Sequence, residues 1–122
     1  MIFDSNILIY ISQDLIQIEN LIPKDVKPKI SVITYIEALG YPFKSEELKL
    51  YMQEICDSCD KVQLSEIIIQ ETIHLRSKFK IKLADAIIYA TASVERLPLL
   101  TNNIDDFKQL DCGVELINPF TI

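Results

Sequence analysis

Four segments of this sequence place an acidic residue where a strand gives way to a helix or where an apolar helix begins. The acids are Asp4, Glu37, Asp85 and the adjacent pair Asp105 and Asp106. The carboxyl ends of parallel strands meet at one edge of a sheet, so side chains that follow different strands are brought together there. Carboxylate oxygens and water are the ligands that Mg²⁺ and Mn²⁺ prefer, and these ions leave positions free for phosphate oxygens. The pattern therefore predicts a divalent-cation site for phosphate chemistry.

Two of these acids have simple structural explanations within their own segments. Thr34 and Glu37 have the spacing of a capping box, in which the glutamate returns to the first amide of a helix. Asp4 can form an Asx-turn with Asn6. Taken alone, each structural explanation is favoured over a functional one.

The remaining acids are equally ordinary when each is taken alone. Asp85 falls in the first turn of a predicted helix, where the helix dipole favours a negative charge. Asn103 can cap a short helix that carries Asp106 in its first turn. Taken together, these explanations require four acids to converge on one sheet edge by coincidence and to repel one another there. Bound cations would relieve that repulsion, so the joint pattern favours a functional site.

The overall charge of the chain bears on how such a site would meet a substrate. The 122 residues include 18 acids and 12 Lys or Arg, which gives a net charge of −6. This is the wrong sign for a protein that grips nucleic acid by counterion release alone. Cations held by clustered acids would reverse the local charge where a phosphate sits. The charge is thus an argument about mechanism and does not exclude a nuclease.

The elements that position the acids alternate along the chain between strands and helices. Strands are predicted at 2–4, 29–33, 61–64, 98–101 and 114–117, and helices at 6–12, 34–41, 45–59, 65–75, 83–96 and from 104. This alternation favours an α/β fold, a three-layer α/β/α sandwich with a mostly parallel central sheet of about five strands. With 49% hydrophobic residues, we expect a single domain over residues 1–122.

Hydropathy and cysteine content indicate the compartment. The sequence opens without a basic region followed by an apolar stretch, and it has no apolar run long enough to span a bilayer. Its three cysteines cannot all pair with one another. Cys56 and Cys59 have C-x-x-C spacing, but no second pair or nearby histidine completes a zinc site. We expect a cytoplasmic protein with no membrane partner.

Four segments carry the acids in an order and spacing that match a known family. They are Ile2-Phe3-Asp4-Ser5-Asn6, the run from Ser31 to Gly40, the run from Leu83 to Ala92, and Leu99 to Asn103 with Asp106-Phe107. In these segments the chain resembles a PIN domain, and among PIN domains a VapC-type toxin. The resemblance covers essentially the whole chain, and the four segments are specific only in combination.

The resemblance implies an activity and partners that composition does not. Toxins of this type are Mg²⁺- or Mn²⁺-dependent endoribonucleases that a cognate antitoxin holds inactive, and they are often dimeric. We therefore expect RNA as the substrate, hydrolysis of its phosphodiesters by a water that the cations activate, an antitoxin partner and a homodimer.

The resemblance also implies roles for individual residues. Asp4, Glu37 and Asp85 match the family's firmest acidic positions and are expected to be catalytic metal ligands. Asp106 is favoured as the fourth ligand, with Asp105 left open. The polar residues expected to orient the acids or to contact the substrate are Asn6, Thr101 and Asn103.

Two other groups offer weaker possibilities. His74 is far in sequence from every one of these acids, so a general-base role is disfavoured. Four basic residues lie between Arg76 and Lys82, and these could guide RNA towards Asp85. A short charge run is, however, more often a solvated face.

Three other functions are left open by the sequence. A PIN-like fold without activity would serve as a binding module, and a plain interaction domain would present its acidic surface to a basic partner. A response-receiver domain also clusters acids at strand ends for phosphoryl chemistry. It requires an aspartate after the third strand, and residues 61–65 contain none. The inactive PIN-like module is therefore the closest competitor.

Overall fold

The computed structural model describes residues 1–110 and 112–121 and is built on a central five-stranded sheet. The strands are β1 (Ile2–Phe3), β2 (Lys29–Ser31), β3 (Asp60–Val62), β4 (Leu99–Leu100) and β5 (Leu116–Ile117). They lie in the order β3-β2-β1-β4-β5, and every pairing is parallel. The predicted parallel α/β sheet of five strands is confirmed, although each strand is shorter than predicted.

Six α-helices connect and cover the strands. They are α1 (Ser5–Ser12), α2 (Val32–Leu39), α3 (Glu46–Asp57), α4 (Glu66–Lys78), α5 (Leu83–Glu95) and α6 (Ile104–Phe107), with 3-10 turns at Ile18–Asn20 and Lys108–Leu110. Serine hydroxyls begin two of the longer helices: Ser45 accepts from the Leu48 amide at α3, and Ser65 accepts from the Ile68 amide at α4. Each such cap stabilises its helix by about 1 kcal/mol.

Apolar side chains on the two faces of the sheet form two separate cores. Because successive strand residues point to opposite faces, Phe3 and Leu100 pack on one side while Ile2 and Leu99 pack on the other. The first core also takes buried residues of α1 and α3, namely Ile7, Leu8, Met52 and Ile55. The second takes buried residues of α4, α5 and α6, namely Ile68, Leu75, Ile88 and Phe107. Helices therefore cover both faces, and the predicted three layers are confirmed.

The junction of β2 and α2 differs from the sequence-based prediction. The strand was predicted to continue to Ile33, but it ends at Ser31, whose hydroxyl accepts from the Ile33 amide at 3.2 Å. Helix α2 therefore begins at Val32, and Thr34 lies buried inside it. The capping-box explanation of Glu37 was wrong, because the cap is three residues earlier. The β-branched residues here favoured a strand, but the serine cap and packing against the sheet decide the boundary.

The C-x-x-C pair lies inside the molecule as free thiols. Cys56 lies in the last turn of α3 and Cys59 just after it, and both are buried in the core. Burial raises the pKa of the Cys56 thiol to about 11 and also raises the pKa of Cys59. Because the thiolate is the reactive form, these cysteines act as small apolar core residues.

No helix in the described part of the chain is both long and apolar enough to cross a membrane.

The strand order reverses direction around β1. The chain passes from β1 to β2 and β3 on one side of the sheet and then returns to place β4 and β5 on the other. Ligands of such sheets bind in the crevice beyond the carboxyl ends of the two strands where the order reverses. Here those strands are β1 and β4, and the residues that directly follow them are Asp4 and Thr101.

Candidate metal centre

Asp4 is held rigidly at the end of β1. Its side chain is only 5% exposed. One carboxylate oxygen accepts from the Thr101 hydroxyl at 2.7 Å, and the other accepts from the Ser5 amide at 2.7 Å. The second contact caps α1 and replaces the Asx-turn with Asn6 that the sequence allowed. Each oxygen thus has one fixed donor and keeps lone pairs for a further partner.

Thr101 links β4 to β1 through a single hydroxyl group. While that hydroxyl donates to Asp4, it accepts from the Asn103 amide at 2.9 Å. The residue is completely buried. Thr101 was predicted to orient an acid, and the structure places it in contact with Asp4. The same hydroxyl also sets the path of the chain from β4 into α6.

Ser5 joins Glu37 to the same network, a role that sequence reasoning missed. The Ser5 hydroxyl donates to a Glu37 carboxylate oxygen at 2.7 Å and lies 3.4 Å from the hydroxyl of Thr34. Ser5 begins α1 directly after Asp4, so its amide contacts one acid and its side chain contacts another. The only sign of this role in the sequence was the position of Ser5, a hydroxyl residue directly after the predicted ligand Asp4. Glu37 itself is exposed on α2.

Asp85 and Asp106 lie on α5 and α6, which pack on the opposite face of the sheet from α1. Asp85 is partly buried in the first turn of α5, as predicted. Asp106 is exposed on α6 and accepts a hydrogen bond from the Asn103 side-chain amide. Asn103 occupies the N-cap position of α6, as the structural alternative allowed, but its side-chain oxygen accepts no capping hydrogen bond there.

Asp105 and Asp106 are neighbours in sequence but have different surroundings. Asp105 forms an exposed ion pair with Lys108 at 2.9 Å. Asp106 instead lies close enough to Asp4 and Asp85 for its charge to act on both. The electrostatic interactions therefore group Asp106 with the other predicted ligands, whereas Asp105, which lines the same cleft as Asp85, is paired with Lys108.

The electrostatics of the centre are those of crowded acids. Burial raises the pKa of Asp4, hydrogen bonds from Thr101 and Ser5 oppose the rise, and repulsion from Glu37 and Asp106 adds to it. Burial likewise raises the pKa of Asp85. Asp4, Asp106 and Glu37 raise that pKa further, whereas the charge of Lys82 lowers it. The four acids predicted from four distant segments thus lie within electrostatic reach of one another.

The acids share this region without closing into a ready-made cage. Within residues 1–110 and 112–121, no three His, Cys, Asp or Glu side chains are arranged tightly enough to hold an ion by themselves. Mg²⁺ is usually bound by only one or two carboxylates and keeps several waters. Asp4 and Asp85, whose pKa values are raised and whose ionised forms repel one another, fit a hydrated cation that would relieve the repulsion.

The side chains of Asn6, an expected substrate contact, and of His74, whose general-base role was disfavoured, lie outside the hydrogen-bond network of the acids. Asn6 is exposed on the first turn of α1, and its side chain makes no hydrogen bond to another described residue. His74 is exposed on α4. The substrate contact expected of Asn6 remains a prediction.

A cleft of about 330 Å³ opens beside the acids on the α5 and α6 side. It contains three acids and three lysines, and its lining residues are Lys80, Ile81, Lys82, Asp85, Asp105, Asp106, Lys108 and Gln109. Asp85 and Asp106 both line this cleft, so both can be reached from solvent through it.

Comparison with known proteins places this arrangement in a family. No curated protein matches the sequence. A chain of a toxin–antitoxin complex from Klebsiella pneumoniae is 29% identical, with a TM-score of 0.78 over 99% of this chain and 98% of that one.

Two solved structures of lower identity share the fold. A chain of VapBC2 from Rickettsia felis, bound to a promoter DNA fragment, is 23% identical with a TM-score of 0.81, covering 97% of this chain and 98% of that one. A chain of VapBC-1 from nontypeable Haemophilus influenzae is 21% identical with a TM-score of 0.77, covering 99% and 100%. The model of the PIN domain family matches residues 1–112. The chain, with its acids grouped at the β1 and β4 edge, therefore belongs to the PIN domain family.

Proposed function

We propose that this protein is a Mg²⁺- or Mn²⁺-dependent endoribonuclease that acts as the toxin of a toxin–antitoxin pair. The observation that carries the proposal is the grouping of Asp4, Glu37, Asp85 and Asp106. They come from four elements, and their charges act on one another at the edge where the strand order reverses. Membership of the PIN domain family supports a nuclease, and the choice of RNA and of divalent ions is our inference.

The chain's own residues divide the work of holding a cation. Asp4 and Asp85 are the inner ligands, because both are at least partly buried. A buried carboxylate is poorly solvated, so a nearby cation stabilises its ionised form strongly. Thr101 and Ser5 fix the two oxygens of Asp4. A bound divalent cation would supply water activation and would stabilise the charge that develops on the phosphate.

The outer acids face the solvent where a substrate would arrive. Glu37 and Asp106 are exposed, and each is held by one neighbour, Ser5 or Asn103. Such side chains can shift to complete the coordination when the substrate binds. Asn6 is exposed one residue after Ser5, and we assign it a contact to the substrate.

The similarity to the Klebsiella pneumoniae chain supports a partner protein. The Klebsiella pneumoniae chain comes from a toxin–antitoxin complex and aligns with essentially the full length of this chain. We therefore propose a cognate antitoxin that suppresses the activity, and a homodimer as the assembled form. Light scattering of the purified protein tests the dimer, and co-purification with the product of a neighbouring gene tests the antitoxin.

The activity is tested with purified, antitoxin-free protein and a mixed set of structured and unstructured RNAs. Cleavage is expected in Mg²⁺ or Mn²⁺, none in EDTA, and none with Asp4→Asn or Asp85→Asn. Asp25→Asn is the matched control, since it removes an exposed acid from a distant loop. Folding of each variant is verified by circular dichroism.

The main competing function is a binding module that retains the fold without the reaction. Folded wild-type protein that binds Mn²⁺ yet leaves every RNA intact would establish that function instead. Cleavage that persists in EDTA or in Asp85→Asn would exclude the proposed mechanism while leaving a nuclease.

A further inference from the structure

The segment between α4 and α5 presents two lysines from an anchored stretch of chain. Phe79 and Ile81 are partly buried and pack against the core beneath α4 and α5, whereas Lys80 and Lys82 are exposed. The backbone is extended at Phe79 and again at Lys82. Alternate residues of an extended chain point to the same side. The two apolar side chains therefore fix the segment and turn both ammonium groups outward.

Among the described residues, Lys80 and Lys82 form no ion pair with an acid, although the charge of Lys82 acts on Asp85. Ion pairs among the described residues involve Lys27, Lys29, Lys61 and Lys108. The four cations between Arg76 and Lys82 are absent from those pairs. Although the chain has a net charge of −6, this run concentrates four positive charges within residues 76–82.

The same two lysines line the cleft that contains Asp85 and Asp106. On the opposite wall, Lys108 is already paired with Asp105. Gln109 donates to the backbone carbonyl of Lys80 at 3.4 Å, which ties the two walls together. Among the described lysines that line the cleft, those outside an ion pair therefore come from the segment between α4 and α5, next to Asp85.

We propose that Lys80 and Lys82 bind consecutive backbone phosphates of single-stranded RNA and lead the strand to the acidic centre. The proposal rests on the proposed function, since it places this contact beside the phosphate that is cleaved. Alternate residues of an extended segment are about 6.5 Å apart, which is the scale of one nucleotide step. A polymer with a charge at every step fits two fixed cations better than the scattered carboxylates of a peptide do. Lysine contacts of this kind give affinity and position without reading the sequence.

The test compares two double variants that make the same change in net charge. Lys80→Gln with Lys82→Gln removes the proposed contacts. Lys44→Gln with Lys49→Gln removes two exposed cations that also lie outside the ion pairs, near α3 on the opposite face of the sheet. Binding of a short fluorescent single-stranded RNA is measured by anisotropy in EDTA over a range of KCl concentrations.

The first double variant is expected to bind RNA more weakly and to lose about 1.4 from the slope of log K against log salt, at about 0.7 per phosphate contact on a single strand. The control double variant should keep the wild-type slope, as should Lys80→Arg with Lys82→Arg. Equal losses in the two glutamine variants, or no RNA binding by wild type at low salt, would overturn the proposal. So would preferential binding of polyglutamate, which would assign the lysines to an acidic peptide.

The outcome is separable from that of the nuclease test. RNA cleavage in Mg²⁺ together with identical slopes would remove the phosphate site and leave the nuclease standing. RNA binding that depends on Lys80 and Lys82, without cleavage, would support the phosphate site in a protein that lacks the activity.

Discussion

The inner and outer parts of the candidate metal centre are built in different ways. Asp4 is 5% exposed, and each of its oxygens has a donor supplied by a residue at a strand end or a helix start. Glu37 and Asp106 are exposed on helices, and each is held by one side chain. The sheet therefore determines the position of the inner acid before any ligand binds. The outer acids can adjust, which suits groups that meet both an ion and a substrate.

The largest expected effect comes from the inner acid. Asp4→Asn keeps the size of the side chain but removes its charge, and we expect RNA cleavage to fall by at least about 100-fold, as when one preorganised electrostatic group is lost. Glu37→Gln should cost only about tenfold, near the low end for groups that support a site. Single-turnover cleavage rates in Mg²⁺ measure both. Equal losses of cleavage rate in the two variants would contradict the distinction between a fixed inner acid, Asp4, and an adjustable outer acid, Glu37.

A substitution at Thr101 tests the hydrogen bond that holds Asp4 in position. Thr101→Val keeps the shape but leaves one of the two Asp4 oxygens without its donor and the Asn103 backbone amide without an acceptor. We expect about a 10- to 100-fold loss of cleavage, as for other residues that orient ligands. The free energy of unfolding should fall by about 1–3 kcal/mol, because buried polar groups lose their partners. Urea denaturation measures the second quantity. Thr101→Ser retains the hydroxyl and should behave nearly as wild type.

Substitutions of the two neighbouring acids of α6 test the role assigned to the outer acids of the metal centre. Asp106→Asn should reduce cleavage by about tenfold, at the low end for a group that supports a metal ligand set. Asp105→Asn should leave the rate unchanged, since that residue pairs with Lys108 at the surface. The same cleavage assay distinguishes them. A larger loss of cleavage in Asp105→Asn than in Asp106→Asn would mean that Asp105, and not Asp106, belongs to the metal centre.

The smallest effect concerns stability. The pKa of Asp85 is raised in the folded chain by burial and by Asp4 and Asp106. The folded state therefore holds this proton more tightly than the unfolded state does, and stability falls as the pH rises through the folded pKa. In EDTA at neutral pH, Asp85→Asn should unfold with a free energy higher than wild type by less than about 1 kcal/mol, because solvent screens a half-exposed group. Below the ordinary aspartate pKa the two proteins should converge. A less stable variant at neutral pH would contradict this assignment of charge.

The sequence predicted those parts of the centre that depend on strand ends. Asp4 and Thr101 follow strands of one parallel sheet, so alternation predicted that both lie at the same edge, whereas their direct contact depends on the strand order, which was not predicted. The first turn of α5, with Asp85, was equally visible from its apolar run. These features are set by hydrophobic periodicity, which is the strongest signal in a single sequence.

Features that depend on individual hydrogen bonds were not predictable in this way. The cap of α2 falls on Ser31 and not on Thr34, because either hydroxyl satisfies the local rule and only packing against the sheet selects one. Ser5 contributes its amide to one acid and its hydroxyl to another, and this pairing exists only after α1 and α2 have come together. Asp105 and Asp106 are equivalent in sequence and differ only in helical phase.

The most direct test of the metal centre is the effect of Mn²⁺ on unfolding, compared in wild type, Asp85→Asn and the control Asp25→Asn. A ligand that binds the folded state at 100 times its Kd should stabilise it by about 2.7 kcal/mol. We predict this gain for wild type and for Asp25→Asn, and almost none for Asp85→Asn. Equal stabilisation of all three proteins would mean that the ion binds elsewhere, and it would contradict the central claim that these acids form a cation site.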